Sequence, residues 1–506
     1  MEYLKVEEEG DQREPVSPTG QFLNSKALSL CILGVLELGV PISIDESTPN
    51  SIDESHMDSW VKDVLLPTNP RFSSIMVHSQ SLTALTALTA VLCVLIYVED
   101  ENGEKLWKRV EVKIKDHIKT LIFPSGLSPK IYDKYIDDYI SDIAMEKLPV
   151  TRPLWQIHLI NYPKSNSNAA SSIIFKIHHS IGDGFSLMGV LLSCLQRADD
   201  PSLPLTFPSV PLSSTNRDSN GLFKKVSRIF SVVTNTLSDF YRSIVWSSLH
   251  EDDMSPIRSG VAGVEFQPFS VATMTFSLDH IQQIKSNIGA TINDVLTGII
   301  FLGTRLYMEE NSEGSSKANS TALVLLNTRE FRSYVPVKEM IKPDSKTPWG
   351  NYFAFLHVPL PKLTNDDDDS KYNPLEFISK TQEIINAKKS SLGVYLTGIL
   401  LQVLKKLRGP EAAARYIYGS AKNASMGITN MMGPVEPMTL ANHPVTGLYF
   451  MVVGTPQSLV TTIMSYNGQL RIAIGTEKGL IDAQKLKSCI ENAFQTILKA
   501  ARDDDT

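Results

Sequence analysis

Two kinds of spacing organise the apolar residues of this chain. Ile173-Ile174-Phe175-Lys176-Ile177 is a β-branched, almost continuous apolar run, which predicts a strand. An apolar helix is expected directly behind it, over about 185–196. Residues 71–77 and 105–110 read as the arms of a hairpin turning at Asn102-Gly103, once the stretch 78–98 is set aside. Alternation over 270–277 predicts a half-buried strand, with a helix near 278–287 after it. Thr291 then stands as an N-cap, with Asp294 at the third helical position and the apolar run 295–306 behind it.

Strands and helices thus mix on both sides of a change in composition. Residues 199–221 are rich in Pro, Ser, Thr and Asn, which disfavours regular structure and marks a crossover. Behind it Leu222, Val226, Ile229, Val233, Leu237 and Tyr241 recur at helical spacing, an amphipathic helix expected to dock on a domain core, with a membrane surface as the second reading. The division expected is a first domain over 1–198, a linker with its helix over 199–255 and a second domain over 256–506. From Ser73 to Val98 there is no charged residue, and 82–90 repeats Leu-Thr-Ala three times. That is borderline for a span of about 20 residues, and an extended loop or insertion at 78–98 is favoured over a spanning helix. Ser-Ile-Asp-Glu-Ser, at 43–47 and again at 51–55, marks another irregular loop, and the four aspartates at 366–369 read as a solvated one.

At 506 residues, 42% hydrophobic and 20% charged, the chain has material for two cores, so a single small binding module is excluded. A net charge of −7 supplies no general attraction for nucleic acid. Cys31, Cys93, Cys194 and Cys489 lack the spacing of a zinc knuckle or a disulfide framework, which fits a reducing, cytosol-facing location. The N-terminal residues have neither the basic flank nor the apolar core of a secretory signal.

The chemistry concentrates at His178-His179-Ser180-Ile181-Gly182-Asp183-Gly184. Successive side chains of an extended chain point to opposite faces, so one of the two histidines faces a cleft and the pair is a poor metal site. Asp183, in a glycine-flanked turn, is placed to brace that turn, and an imidazole suits proton abstraction at neutral pH. Neither G-x-S-x-G, H-E-x-x-H nor G-x-x-x-x-G-K-[ST] occurs. Trp155, beside Pro153, reads as a packing residue. Asn430 before Gly433-Pro434 serves either the turn or a substrate.

This heptapeptide resembles the HHxxxDG motif of CoA-dependent acyltransferases, specifically the plant wax ester synthase/diacylglycerol acyltransferase family. Pro15-Val16-Ser17-Pro18, Pro153-Leu154-Trp155, Asn293-Asp294, Asn327-Thr328-Arg329, Gly350-Asn351 and Thr429-Asn430-Met431-Met432-Gly433-Pro434 resemble further motifs of that family in their usual order. The resemblance implies an α/β fold of two chloramphenicol-acetyltransferase-like domains, with mixed β-sheets, flanking helices and an active-site tunnel between them. It implies His179 as the general base, His178, Asp183, Gly184 and Arg329 as support, and Asn293, Thr429 and Asn430 as substrate contacts, with no metal and no cofactor beyond acyl-CoA as co-substrate. Asp183 is expected to turn from the substrate and pair with Arg329, whose guanidinium can meet both carboxylate oxygens.

The activity implied is transfer of a fatty acyl group to a long-chain alcohol, giving a wax ester, and to diacylglycerol, giving triacylglycerol, at the cytosolic face of the endoplasmic reticulum membrane, with the plasma membrane as a second location. Alternatives are an acyltransferase for phenolic or other small alcohols, whose usual Asp-Phe-Gly-Trp-Gly is absent here, and a catalytically impaired lipid-binding relative.

Overall fold

A computed structural model describes residues 14–42, 54–78, 105–124, 126–161, 169–206, 208, 250–329, 335, 337–342, 344–363, 373–389 and 393–503. The stretch beyond His78 read as a loop or insertion, the irregular loop expected at 43–47, the amphipathic helix expected over 222–244 and the aspartates 366–369 lie outside them.

The apolar run at 173–177 forms the strand Ser171–His178, third in a seven-stranded mixed sheet between Trp155–Asn161 and Cys31–Leu38. Both faces are covered, which is why the run is apolar at consecutive positions. Lys176 interrupts it and is fully buried, its ammonium donating to the carbonyls of Ile143 and Glu146 at the C-terminal end of the helix Pro129–Met145. A cation there meets unpaired carbonyls and the negative end of the helix dipole. The expected strand pairing forms over a shorter stretch, Ser74–His78 antiparallel with Lys105–Arg109 and His78 opposite Lys105, while Pro70–Ser73 is a turn of helix and the turn expected at Asn102-Gly103 lies outside the described residues.

A second, six-stranded sheet carries Phe269–Ser277 at one edge and Phe353–Pro359 at the other. Its central strands Thr321–Asn327, Met426–Met431 and Leu459–Tyr466 are parallel neighbours, and the rest pair antiparallel. The helices Ile292–Asn311, Pro374–Lys389 and Ala483–Asp503 contribute the apolar residues of its core. Thr291 caps Ile292–Asn311 as expected: its hydroxyl accepts from the Asp294 amide while the Asp294 carboxylate receives the Thr291 amide.

Each sheet has a core of its own, yet chain order does not separate them. Met438–Leu440 and His443–Val453, from the second half, join the first sheet, with His443–Val453 paired along Cys31–Leu38. The buried carboxylate of Glu37 on the first sheet accepts from Arg471 on the second at 2.6 Å, and the Arg471 guanidinium lies 5.6 Å from the ring centre of Tyr449.

The first sheet also buries a histidine that the chemistry does not use. His158 is fully enclosed, its Nδ1 2.7 Å from the Tyr139 hydroxyl, and burial pushes its pKa from 6.5 down to about 3. The folded chain keeps this ring neutral over a window in which the unfolded chain protonates it, so the unfolded state binds the extra proton and stability falls as pH falls through that window. In melting curves between pH 7 and pH 4, His158→Gln should therefore lose less stability on acidification than the unmodified protein. Equal slopes for the two would show that His158 contributes nothing.

Candidate active site

The strand Ser171–His178 ends at the first histidine and the chain turns, so His178 and His179 face different surroundings. His178 is bonded on both ring nitrogens, Nδ1 2.7 Å from the Ser180 hydroxyl and Nε2 3.2 Å from that of Ser29. Burial first, and then the neighbouring His179, pushes its pKa to about 3. With both nitrogens engaged, His178 is a structural member of the turn.

His179 is differently placed. Its Nδ1 lies 2.9 Å from Oδ1 of Asn351, its ring is tilted against Phe353 with 5.4 Å between centres, and only 4% of the residue is exposed. With the side-chain oxygen of Asn351 as acceptor, the contact corresponds to the tautomer that carries the proton on Nδ1 and the lone pair on Nε2. Burial lowers the pKa of His179, while the charge of Asp183 and the bond to Asn351 act the other way. A buried imidazole held in the Nδ1–H form is set up to take a proton at Nε2.

Asp183 lies in the turn as expected, with a division of labour the sequence did not show. Its Oδ2 accepts from Arg329 Nη1 at 2.5 Å and from the Tyr352 amide at 2.8 Å. Its Oδ1 accepts from the Ser186 amide at 3.0 Å, which makes Asp183 the N-cap of the helix Gly184–Cys194. The expected two-oxygen grip of the guanidinium is thus corrected: one oxygen meets Arg329, because the cap takes the other. Arg329 directs its remaining donors to the carbonyls of Pro348 and Gly350, the Ser186 hydroxyl and the Asn327 side-chain oxygen, and its guanidinium lies 5.0 Å from the ring centre of Phe185 and 4.6 Å from that of Tyr352. Gly350 has φ 136, a conformation side chains resist, and its carbonyl receives the Asp183 amide, the Ser186 hydroxyl and Arg329.

Gly184 stands where a Cβ would come within 2.5 Å of the Met431 sulfur. Met431 lies between two cavities. One, of about 90 Å³, is lined by apolar side chains such as Trp60, Phe175, Leu187, Leu191 and Tyr449. The other, of about 230 Å³, is lined by Asn293, Asn430, Thr297 and Lys389 among apolar residues of the second sheet. Asn293 and Asn430 meet there, Nδ2 of Asn430 donating to Oδ1 of Asn293 at 2.5 Å. Thr429 is absent from that lining, since strand alternation puts Ile428 and Asn430 on the cavity side. Trp155 is a packing residue, fully buried, donating to the Phe72 carbonyl and stacked on His117. Among the described residues no group of His, Cys, Asp and Glu is arranged to hold a metal ion.

Asn351 and Ser186 received no role from the sequence. The signal available for Asn351 was its place in Gly350-Asn351, directly ahead of a strand. Ser186 offered only its position after Gly184.

A family model described as the wax ester synthase/diacylglycerol acyltransferase catalytic domain matches residues 98–296, and one described as the WS/DGAT C-terminal domain matches 349–498. Wax ester synthase/diacylglycerol acyltransferase 4 of Arabidopsis thaliana is 28% identical over 519 residues, covering 98% of this chain and 91% of the relative. Wax ester synthase/diacylglycerol acyltransferase 8 of the same plant is 28% identical, covering 96% of each. Among solved structures, a wax ester synthase/diacylglycerol acyltransferase from Marinobacter aquaeolei VT8 matches with a TM-score of 0.56 and 16% identity over 97% of this chain and 100% of that one. The cyclization–docking bidomain of a nonribosomal peptide synthetase from Sorangium cellulosum matches at 0.52 and 12% identity, over 97% and 84%. These two likenesses establish the fold.

Two outcomes follow from the hub. Asp183→Ala strands a buried guanidinium and uncaps a helix, so chemical denaturation should show a loss of about 3–5 kcal/mol; a change below about 1 kcal/mol, the scale of a surface pair, would refute a structural role. Asn351→Ala should lower turnover by up to about 10²-fold, the scale of a misplaced catalytic group, at a stability cost of only about 1–3 kcal/mol, that of one unsatisfied buried donor. Unchanged turnover would show that Asn351 does not orient His179.

Proposed function

Because the chain belongs to the wax ester synthase/diacylglycerol acyltransferase family, we propose that it moves a long-chain acyl group from acyl-CoA to the hydroxyl of a long-chain alcohol, and also of diacylglycerol, with His179 as general base. The observation that supports the base assignment is the contact of His179 Nδ1 with Asn351 Oδ1, which suits the tautomer with its lone pair on Nε2. Nε2 takes the hydroxyl proton as the alcohol oxygen attacks the thioester carbonyl. The tetrahedral intermediate then expels the CoA thiolate, which recovers the proton from His179. One C–O bond forms, one C–S bond breaks, and no acyl-enzyme is needed because the thiolate is already a good leaving group.

Asp183 and Arg329 hold the turn that presents His179 and make no contact with substrate in this reading. Gly184 admits Met431 to the wall between the two cavities. The apolar cavity supports an acceptor or acyl chain of hydrocarbon character over a phenolic one, since it offers such a chain a dry lining. Asn293 and Asn430 are proposed to meet polar groups of a substrate from the second cavity. The insolubility of such substrates supports a membrane surface as the place of action, and the cytosolic face of the endoplasmic reticulum is proposed as that surface.

Purified protein given labelled palmitoyl-CoA with hexadecanol, diacylglycerol or a phenolic alcohol should form the hexadecyl ester. Product from the phenolic alcohol alone would overturn the acceptor assignment. His179→Ala should cost roughly 10²–10⁴-fold in turnover while the fold persists. Burial holds the His179 pKa below 6.5, so kcat/KM should stay level from neutral pH upward and fall only on acidification. A rate that climbs through pH 7–8 would mean that a different group is the base.

A further inference from the structure

The helix Gly393–Lys422 is broken at Gly409, which has φ 78 and is followed by Pro410, so 393–408 is a helical segment of its own. Its inner face is anchored: Leu401 and Leu404 pack against Phe22, Ala413 and Ala414. Its outer face is also apolar. Ile399, Val403 and Leu407, spaced four apart and so aligned along one side, are 42%, 45% and 75% exposed. A helix apolar on both sides is ordinarily buried, and a row of exposed branched side chains marks a contact surface.

Charge indicates what that surface meets. Lys405, Lys406 and Arg408 lie at the end of the segment, and no acidic residue occurs between 393 and 410. Lys406 and Arg408 are exposed. The whole chain carries −7, so attraction to an anionic surface has to come from such a local patch. An apolar stripe flanked by one cation, Lys406, and closed at its C-terminal end by another, Arg408, suits a helix lying in the plane of an anionic bilayer. No helix among the described residues is long and apolar enough to cross a membrane, which agrees with lying on one.

The segment also sits close to the chemistry. Phe22, which it packs against, belongs to the helix Pro18–Leu23, and in that helix a Cβ on Gly20 would stand 3.4 Å from the carbonyl oxygen of Ser180 in the catalytic turn. We propose that residues 393–408 form a membrane-surface helix that seats the enzyme on an anionic bilayer through Ile399, Val403 and Leu407, with Lys406 and Arg408 against the headgroups. This rests on the long-chain substrate reading for its purpose, since substrates dissolved in a bilayer would then enter one helix away from His179.

Flotation of the full chain with vesicles tests it, using phosphatidylcholine alone and phosphatidylcholine with phosphatidylserine. The unmodified protein should float with the anionic vesicles, less so as salt is raised. The triple variant Ile399→Asn, Val403→Asn, Leu407→Asn should lower the floated fraction about tenfold or more, as expected for withdrawing three apolar side chains from the interface. Lys406→Glu with Arg408→Glu should weaken binding to the anionic vesicles only. Both variants should keep the parent rate on detergent-dispersed substrates.

Flotation of the triple variant at the parent level would overturn the proposal, whichever other segment binds. Equal flotation of the parent on both vesicle types, or dimerisation in light scattering that the triple variant abolishes without change in flotation, would overturn it in favour of a neutral surface or a second copy. Flotation is read without turnover, so loss of the acyl-transfer reading and loss of this one are distinguishable.

Discussion

The Asp183–Arg329 ion pair joins the two halves of the molecule at the one place where chemistry is expected. Both groups are almost fully buried, where separating unlike charges is costly and an unpaired member would be worse. The pair is stable because neither partner relies on the other alone. Asp183 also receives two amides, and Arg329 also reaches two carbonyls and a hydroxyl. A network satisfied in this way has one low-energy arrangement, and that uniqueness fixes the turn that presents His179.

Rigidity at the turn matters because catalysis here asks for little else. In the proposed reaction the thioester is already activated, so what the protein would have to supply is a base in the right tautomer, held still, in a place with little water. The described residues between the strands Thr321–Asn327 and Phe353–Pro359 bear on both parts: Arg329 anchors the turn, Asn351 contacts the imidazole, and Trp349, two positions before it, donates its indole N–H to the Ile181 carbonyl. Arg71 from the first half donates to the same carbonyl. Each side of the molecule thereby grips the histidine loop, and neither half on its own would present a complete site.

The sheets are interlocked on the same principle. Two strands of the second half complete the first sheet, and the buried Glu37 reaches across to Arg471. The two halves cannot be pulled apart without exposing sheet edges and stranding a carboxylate. A cavity system shared between them, parted by Met431, is a consequence of that interlock.

Local chemistry decided much of this fold, and the sequence by itself determined those parts. The apolar run at 173–177 reads as a strand, Thr291 and Asp294 read as an N-cap and its partner, and the strand pairing expected between 71–77 and 105–110 is found between Ser74–His78 and Lys105–Arg109. These rest on periodicity and hydrogen bonding within a few residues, which the order of amino acids records directly. The identity of the reactive motif was legible for the same reason, because its seven residues are contiguous. Asn351, by contrast, lies 172 residues from His179, and nothing near it in the chain indicates that its oxygen would meet an imidazole. The second duty of the Asp183 carboxylate, the admission of Met431 over Gly184 and the exclusion of Thr429 from the cavity are likewise long-range or depend on which face of a strand turns inward. Tertiary structure alone decides such matters, since they are set by how whole sheets pack and which carbonyls that packing leaves within reach.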